Sequence, residues 1–498
     1  MPSEDVAVTI LPANPCARSF SAVLAVLCLL SPAAAEQPNI LFLFADDQCY
    51  ETVHALGYDL IETPHLDRLV EEGLTFTHAY NPGSWSPAVC VPSRTMLNTG
   101  RQLWNAHRLR GDLHEEVEEG RFWSQRLQQA GYETYFTGKW HVVDAQWGQI
   151  PVEAAFDHVV NVRPGMPQDT AEGYNRPVEG EPDPWCPSDP AFGGFWEGGR
   201  HWSEVLADDA VAFLEQAAGR EAPFFMYLAF NAPHDPRQSP QEYVDKYPLE
   251  RVRLPESFLP VYPYHEEIGC PPDLRDERLA PFPRTPYAVK VHRQEYYAII
   301  SHMDTQIGRI LDALERTGQA EDTIVIYTAD HGLAVGRHGL LGKQNLYDHS
   351  VRVPFMITGP GVPAGERNSA PVYLQDIVPT TLEWAGLEVP EDVDFRSLLP
   401  LIRAESAVHY DAVYGAYLDL QRSITLDGFK LILYPAIGRY RLYHLEEDPQ
   451  ELTDLAEREK HRDVVVRLFG RLVELQEELG DPLDLRTLFP GLSVVRCR

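Results

Sequence analysis

Five apolar runs of five to seven residues constrain this chain most: Asn39 to Ala45, Glu133 to Thr137, Phe224 to Phe230, Thr323 to Thr328 and Val353 to Thr358. They are too short for core helices and too uniformly apolar for half-exposed strands, so they read as strands buried on both faces, as in parallel sheets. Helical stretches lie between them. Thr63-Pro64 opens one, with Thr63 as N-cap and Pro64 in the first turn, and Gly73 closes it. Another runs from Tyr296 to Arg316, with Ile299, Ile300, Met303, Ile307, Ile310, Leu311 and Leu314 on one stripe. Strand and helix in alternation predict an α/β fold: a large, mostly parallel sheet sandwiched by helices.

The texture changes in three places. Residues 161–202 and 247–292 are rich in Pro and Gly yet carry Trp185, Phe195, Trp196, Trp202, Tyr262 and Tyr264, so they read as ordered loops over the main domain. From about residue 405, short strands are expected at Ala412 to Tyr417, Arg422 to Thr425, Phe429 to Tyr434 and Arg441 to His444, then a helix from His461 to Leu479. At the start, Arg18, the apolar run Phe20 to Leu30 and Ala33-Ala34-Ala35 read as a secretory signal cleaved after Ala35. The expected organisation is a signal over 1–35, a catalytic domain over 36–404 and a C-terminal α+β subdomain over 405–498. The mature protein is expected to be exported, periplasmic or extracellular.

Charge excludes some partners. The chain has 42 basic and 74 acidic residues, a net charge of −32, which opposes nucleic acid and anionic membrane. Of seven cysteines, Cys16 and Cys28 leave with the signal, and no C-x-x-C pair suggests zinc. If Cys90 is chemically special, Cys49, Cys186, Cys270 and Cys497 allow three disulfide connectivities. No N-x-Ser/Thr sequon occurs.

In an open α/β sheet, ligands bind beyond the carboxyl ends of the strands. Those ends carry Asp46-Asp47, Gly138-Lys139-Trp140-His141, Asn231-Ala232-Pro233-His234-Asp235 and Asp330-His331-Gly332. Singly, each has an ordinary structural explanation; four together at one edge are hard to get by chance. Asp46, Asp47 and Asp330 make a hard-oxygen set suited to Ca²⁺ or Mg²⁺, with His331 the less typical ligand. A metal with nearby Lys and Arg suits a tetrahedral oxyanion ester. Cys90 precedes Pro92 at an expected helix start, where anions are favoured and thiol pKa falls; a buried structural cysteine fits the spacing equally well.

Cys90-x-Pro92-Ser93-Arg94, followed by Thr99-Gly100-Arg101, resembles the signature of the formylglycine-dependent sulfatases of the alkaline-phosphatase superfamily. The resemblance continues through Thr137 to His141, Ala232 to Pro236, Asp330 to Gly332, His338 to Lys343 and Arg352-Val353-Pro354. It implies an alkaline-phosphatase-like fold. It implies that a separate formylglycine-generating enzyme oxidises Cys90, and that the hydrated aldehyde ligates the metal and attacks sulfur. It implies that Asp46, Asp47, Asp330 and His331 hold the metal, usually Ca²⁺. Arg94 would steady the formylglycine, Lys139 and Lys343 would neutralise sulfate oxygens, His234 would act as general acid, and His141 would hydrogen-bond the diol. Asp330-His331, where many arylsulfatases have Asp-Asn, looks more like the branch with iduronate sulfatase and bacterial carbohydrate sulfatases.

The expected activity is therefore sulfate release from a sulfated carbohydrate, with short or terminal saccharides preferred because of the net charge. Two alternatives stand beside it: a formylglycine-dependent phosphonate monoester or phosphodiester hydrolase, and a silent carbohydrate-binding homologue with Cys90 still a thiol.

Overall fold

The computed structural model describes residues 37–492, together with Ala7 and Thr9. The expected signal, apart from those two residues, and Cys497 lie outside the described residues. Residues Gln37–Arg498 group as one compact unit.

Its centre is an eight-stranded sheet. The strands are β1 (Asn39–Ala45), β2 (Leu74–Phe76), β3 (Glu133–Lys139), β4 (His158–Arg163), β5 (Phe224–Ala229), β6 (Thr323–Ala329), β7 (Phe355–Thr358) and β8 (Glu366–Asn368). Their spatial order is β8-β2-β7-β6-β1-β5-β3-β4. The pairs β6-β1, β1-β5, β5-β3 and β3-β4 are parallel. β7 runs antiparallel to both β6 and β2, which corrects the expectation of a parallel strand there. The run also breaks at Pro354, which has no N–H to continue a ladder; Val353 pairs instead with Ala79. β2, β4 and β8 carry too little apolar pattern to stand out in the sequence.

Helices cover the sheet. α1 spans Pro64–Glu72, α2 Cys90–Thr99, α3 Trp202–Ala217 and α4 Pro286–Arg316. α4 begins ten residues before the expected start. Pro286 is its first residue and the Thr285 side chain caps the Ala288 N–H, so a proline read as loop punctuation opens the helix. Thr63 occupies the N-cap of α1, but its side chain makes no capping bond. The cap comes from α4: buried Asp304 accepts from the His65 N–H (3.2 Å) and the Leu66 N–H (2.8 Å). The aromatic loop over 161–202 is anchored to α4 by buried Arg176, which pairs with Glu295 at 2.8 Å and also binds Asp183.

A second sheet contains β9 (Val413–Tyr417), β10 (Gln421–Leu426), β11 (Phe429–Tyr434) and β12 (Arg439–His444), with α5 (Arg462–Leu479) packed on it. Gly83-Ser84 joins the edge of this sheet, parallel to Ala416-Tyr417. Gly83 has φ +111°, and a Cβ there would meet the Ala416 carbonyl at 1.8 Å. The second sheet thus braces the segment that leads into Cys90. Cys49, Cys90, Cys186 and Cys270 are all unpaired thiols. Among the described residues, no helix is long and apolar enough to cross a membrane.

Replacing Asp304 by Ala would leave two buried N–H groups at the start of α1 without partners. The expected cost is about 2 kcal/mol, read as a lower unfolding midpoint in urea.

Candidate active site

Parallel pairing brings the loaded strand ends to one edge. Ala45 of β1 lies beside Ala329 of β6, so Asp46-Asp47 and Asp330-His331 leave the sheet side by side. The ladder extends one step further, with Asp330 N–H donating to Ala45 O (3.2 Å) and Asp46 N–H to Ala232 O (3.0 Å). β3 delivers Lys139 and His141, and the turn after β5 delivers His234. Asp47 (φ 70°) and His141 (φ 51°) sit in the left-handed region, a strained state for non-glycine residues that clusters at functional sites.

Cys90 is the first residue of α2, with Val89 as N-cap; the helix starts two residues before Pro92. The sulfur is buried. Lys343 Nζ lies 3.7 Å from it, and a His234 ring nitrogen lies within 4.8 Å. Burial alone would raise this thiol, but Lys139, Lys343, His141 and His234 outweigh it and hold Cys90 well below the ordinary thiol value.

Around the sulfur the charges are closely paired. Lys139 binds Asp46 Oδ2, and Lys343 Nζ reaches both oxygens of Asp47, at 2.8 and 2.9 Å. Arg94 Nη2 is 3.1 Å from Asp330 Oδ2, its Nη1 donates to Lys139 O at 2.7 Å, and its guanidinium lies over the Phe44 ring. All six of these side chains are buried. Asp330 Oδ1 also accepts the N–H groups of Asp47 (3.1 Å) and His331 (3.0 Å).

One ligand atom each from Asp46, Cys90, Asp330 and His331 lies within 4.8 Å of the others, and the same holds for Asp47, Cys90 and His234. Asp46 Oδ1 is buried without a hydrogen-bond partner, and His331 Nε2 lies 3.1 Å from Asp47 Oδ1 and 3.6 Å from Asp330 Oδ1. An orphaned buried acceptor costs about 1–3 kcal/mol. Such an acceptor within a cluster of three carboxylates fits an oxygen-preferring divalent cation.

The two other histidines are set apart electrostatically. For His234, burial and Lys343 push downward, but Asp235, Asp47 and Asp46 prevail and raise it above its usual value. Its Nδ1 donates to the Asp235 carbonyl at 2.6 Å, leaving Nε2 towards Asp47 at 3.9 Å. His141 is lowered, chiefly by burial, with Lys139 adding to it. Gly165 packs against its ring, and a Cβ at that position would sit 2.4 Å from Nε2.

Three side chains outside the sequence-derived set support this arrangement. Asn81 Nδ2 and Ser93 Oγ both donate to the Asp330 carbonyl. Tyr296 of α4 donates to Asp47 O at 2.6 Å and accepts the Cys49 N–H at 3.0 Å, which holds the left-handed turn at Asp47. Cys49 itself bonds both backbone groups of Leu333, donating to O at 2.9 Å and accepting from N at 3.3 Å. Ser93 lies inside the recognised motif, Asn81 heads a turn-like Asn-Pro-Gly, and Tyr296 falls on an apolar helix; none carries a local signal of its role.

The sulfatase family model matches residues 38–387, and the model "N-sulphoglucosamine sulphohydrolase, C-terminal" matches 336–478. An N-acetylglucosamine-6-O-sulfatase of Bacteroides thetaiotaomicron is 27% identical, covering 92% of this chain and 90% of its own length. Mouse iduronate 2-sulfatase is 28% identical over 77% of this chain and 72% of its own. A protein solved with its substrate D-glucosamine-2-N,6-O-disulfate superposes with a TM-score of 0.68 at 24% identity, covering 90% of this chain and 99% of that one. The chain belongs to the sulfatase family and is a sulfuric ester hydrolase of alkaline-phosphatase-like fold.

Tyr296→Phe removes the hydroxyl without opening a cavity. The expected effect is a loss of about 1–2 kcal/mol, measured as a lower thermal midpoint.

Proposed function

We propose that this chain is an exported, formylglycine-dependent sulfatase that releases inorganic sulfate from a sulfated carbohydrate. The observation that carries the reading is a buried Cys90 at a helix start, ringed by two lysines, three histidines and three carboxylates. The sugar-sulfate relative supports the substrate class. The proposed organisation keeps a catalytic part over 36–404 and a C-terminal subdomain over 405–498.

Asp46, Asp47, Asp330 and His331 would hold the divalent cation, Ca²⁺ in preference with Mg²⁺ compatible, together with the matured side chain at position 90. The cation would supply Lewis acidity, polarising the ester and stabilising the nucleophile. Formylglycine, made from Cys90 by a separate generating enzyme, would supply a diol that attacks sulfur and later re-forms its carbonyl as sulfate leaves.

The chain's own groups do the rest. Lys139 and Lys343 take up negative charge on the sulfate oxygens as it grows. Arg94 fixes Asp330 and the end of β3, so it sets the geometry at position 90. His234, whose protonated form Asp235, Asp47 and Asp46 favour, can give its proton to the departing sugar oxygen. His141, lowered below 6.5, is neutral and can accept a proton from the diol. Two titrating groups pushed in opposite directions divide acid from base.

The signs give a pH profile. His141, held below the usual histidine range, protonates on the acid side, and His234, held above it, deprotonates on the alkaline side, so kcat is expected to be bell-shaped in pH. His234→Ala is expected to lower kcat by roughly 10²–10⁴ and to remove the alkaline limb. Gly165→Ala should displace the His141 ring and lower kcat with little change in KM. The direct test is peptide mass spectrometry across Cys90 after co-expression with a formylglycine-generating enzyme, alongside sulfate release from sulfated saccharides. An aldehyde at position 90, activity lost in Cys90→Ala, and sulfate released in preference to phosphate or phosphonate support the reading. An intact thiol beside a converted control sulfatase overturns it.

A further inference from the structure

Most large aromatic side chains here are buried, but Trp147 is 66% exposed. It sits at the tip of a hairpin formed by Val143-Asp144 and Gly148-Gln149, six residues beyond His141. The tip is firmly held. Buried Asp144 accepts the N–H groups of Gln146 (2.7 Å) and Trp147 (3.0 Å) through Oδ1, and that of Leu113 (2.9 Å) through Oδ2. The His114 ring packs edge-on against the indole. The chain therefore fixes an apolar ring at the surface and leaves most of it uncovered.

Beside it lies a cation without a carboxylate. Ala145 N–H donates to the Arg110 carbonyl, joining the hairpin to the segment after α2. The Arg110 side chain is exposed and makes no ion pair among the described residues; its Nη1 donates to His107 Nε2 at 2.7 Å. Burial, with Arg110 and Arg108, lowers His107, in keeping with a neutral ring that accepts this bond. His107 in turn packs on Trp85, five residues before Cys90. Arg108 is likewise exposed and, among the described residues, has no carboxylate partner; it binds Asn105 and the Gly480 carbonyl. In a chain of net charge −32, these two arginines place positive charge next to the hairpin.

We propose that Trp147 and Arg110, with His107 orienting the guanidinium, form a subsite for the sugar next to the one that carries the cleaved sulfate. The inference rests on the carbohydrate-sulfatase reading and deepens it: the ligand is an anionic oligosaccharide rather than an isolated sulfated sugar. A pyranose presents axial C–H groups that fit the negative face of an indole. Arg110 supplies a planar donor pair for a sulfate or carboxylate on the same unit. Trp85 lies five residues before Cys90 and Trp147 six residues after His141, so the chain ties both ends of this strip to candidate catalytic residues. The overall charge repels long polyanions at a distance, while this strip gives one short stretch of chain a favourable landing.

The test compares matured, metal-loaded enzyme on disaccharides and tetrasaccharides prepared from heparin, chondroitin sulfate and ι-carrageenan. For at least one source, kcat/KM is expected to be about tenfold higher for the tetrasaccharide. Trp147→Ala should lower that ratio towards one. Arg110→Gln should lower it too and remove its salt dependence, while Val408→Ala, at another exposed apolar residue, should leave it as in the wild type. No chain-length preference with any source, or a preference that survives Trp147→Ala, overturns the subsite. If p-nitrophenyl sulfate is hydrolysed but no saccharide is, the carbohydrate reading itself fails, and the subsite with it.

Discussion

Three carboxylates and three permanent cations share a space from which water is largely excluded, and the active-site region depends on their balance. Asp46 faces Lys139, Asp47 faces Lys343 and Asp330 faces Arg94. Buried ion pairs are poor sources of net stability, because desolvation offsets most of the attraction; removing one partner is far worse, at about 3–5 kcal/mol. These six residues are therefore best understood as a site kept for chemistry. Their pairing gathers Cys90, the candidate metal ligands and two lysines in one buried cluster.

The fold supplies this balance by register. β1 and β6 end together, so their next residues are neighbours without any loop needing to be ordered. α2 brings Cys90 in from the side, and the second sheet steadies its approach through Gly83-Ser84. α4 crosses beneath and reaches both α1, through Asp304, and the Asp47 turn, through Tyr296. A single long helix thereby couples the sheet's covering layer to the strained residue at the centre. Function and packing meet there, since the backbone strain at Asp47 is tolerated only while Tyr296 and Asp330 hold its two sides.

The parts legible in the sequence were those where a local pattern has one physical solution. Apolar runs as continuous as Asn39 to Ala45 must be buried on both faces, and the residues just beyond them must lie at one edge of a parallel sheet. That reasoning brings Asp46, Asp47, Lys139, His234 and Asp330 together without coordinates. It fails where the deciding contact is distant. The direction of β7 depends on its neighbours and not on its own composition. The cap of α1 is made by a residue more than 200 positions away, so Thr63 looked sufficient. Tyr296 and Asn81 act through backbone groups of the loops they hold, a role no spacing can reveal. Trp147 carries no pattern in the sequence that marks it as exposed.

The central claim is that the charge-balanced pocket holds one hard divalent cation. Isothermal titration of Ca²⁺ into chelator-stripped protein tests it most directly, with Asp330→Asn as the comparison because it keeps the side-chain volume. One site per chain in the wild type, with binding weakened at least tenfold in Asp330→Asn, is the expected result. Absence of binding in folded wild type, or equal binding by the two proteins, would contradict the account.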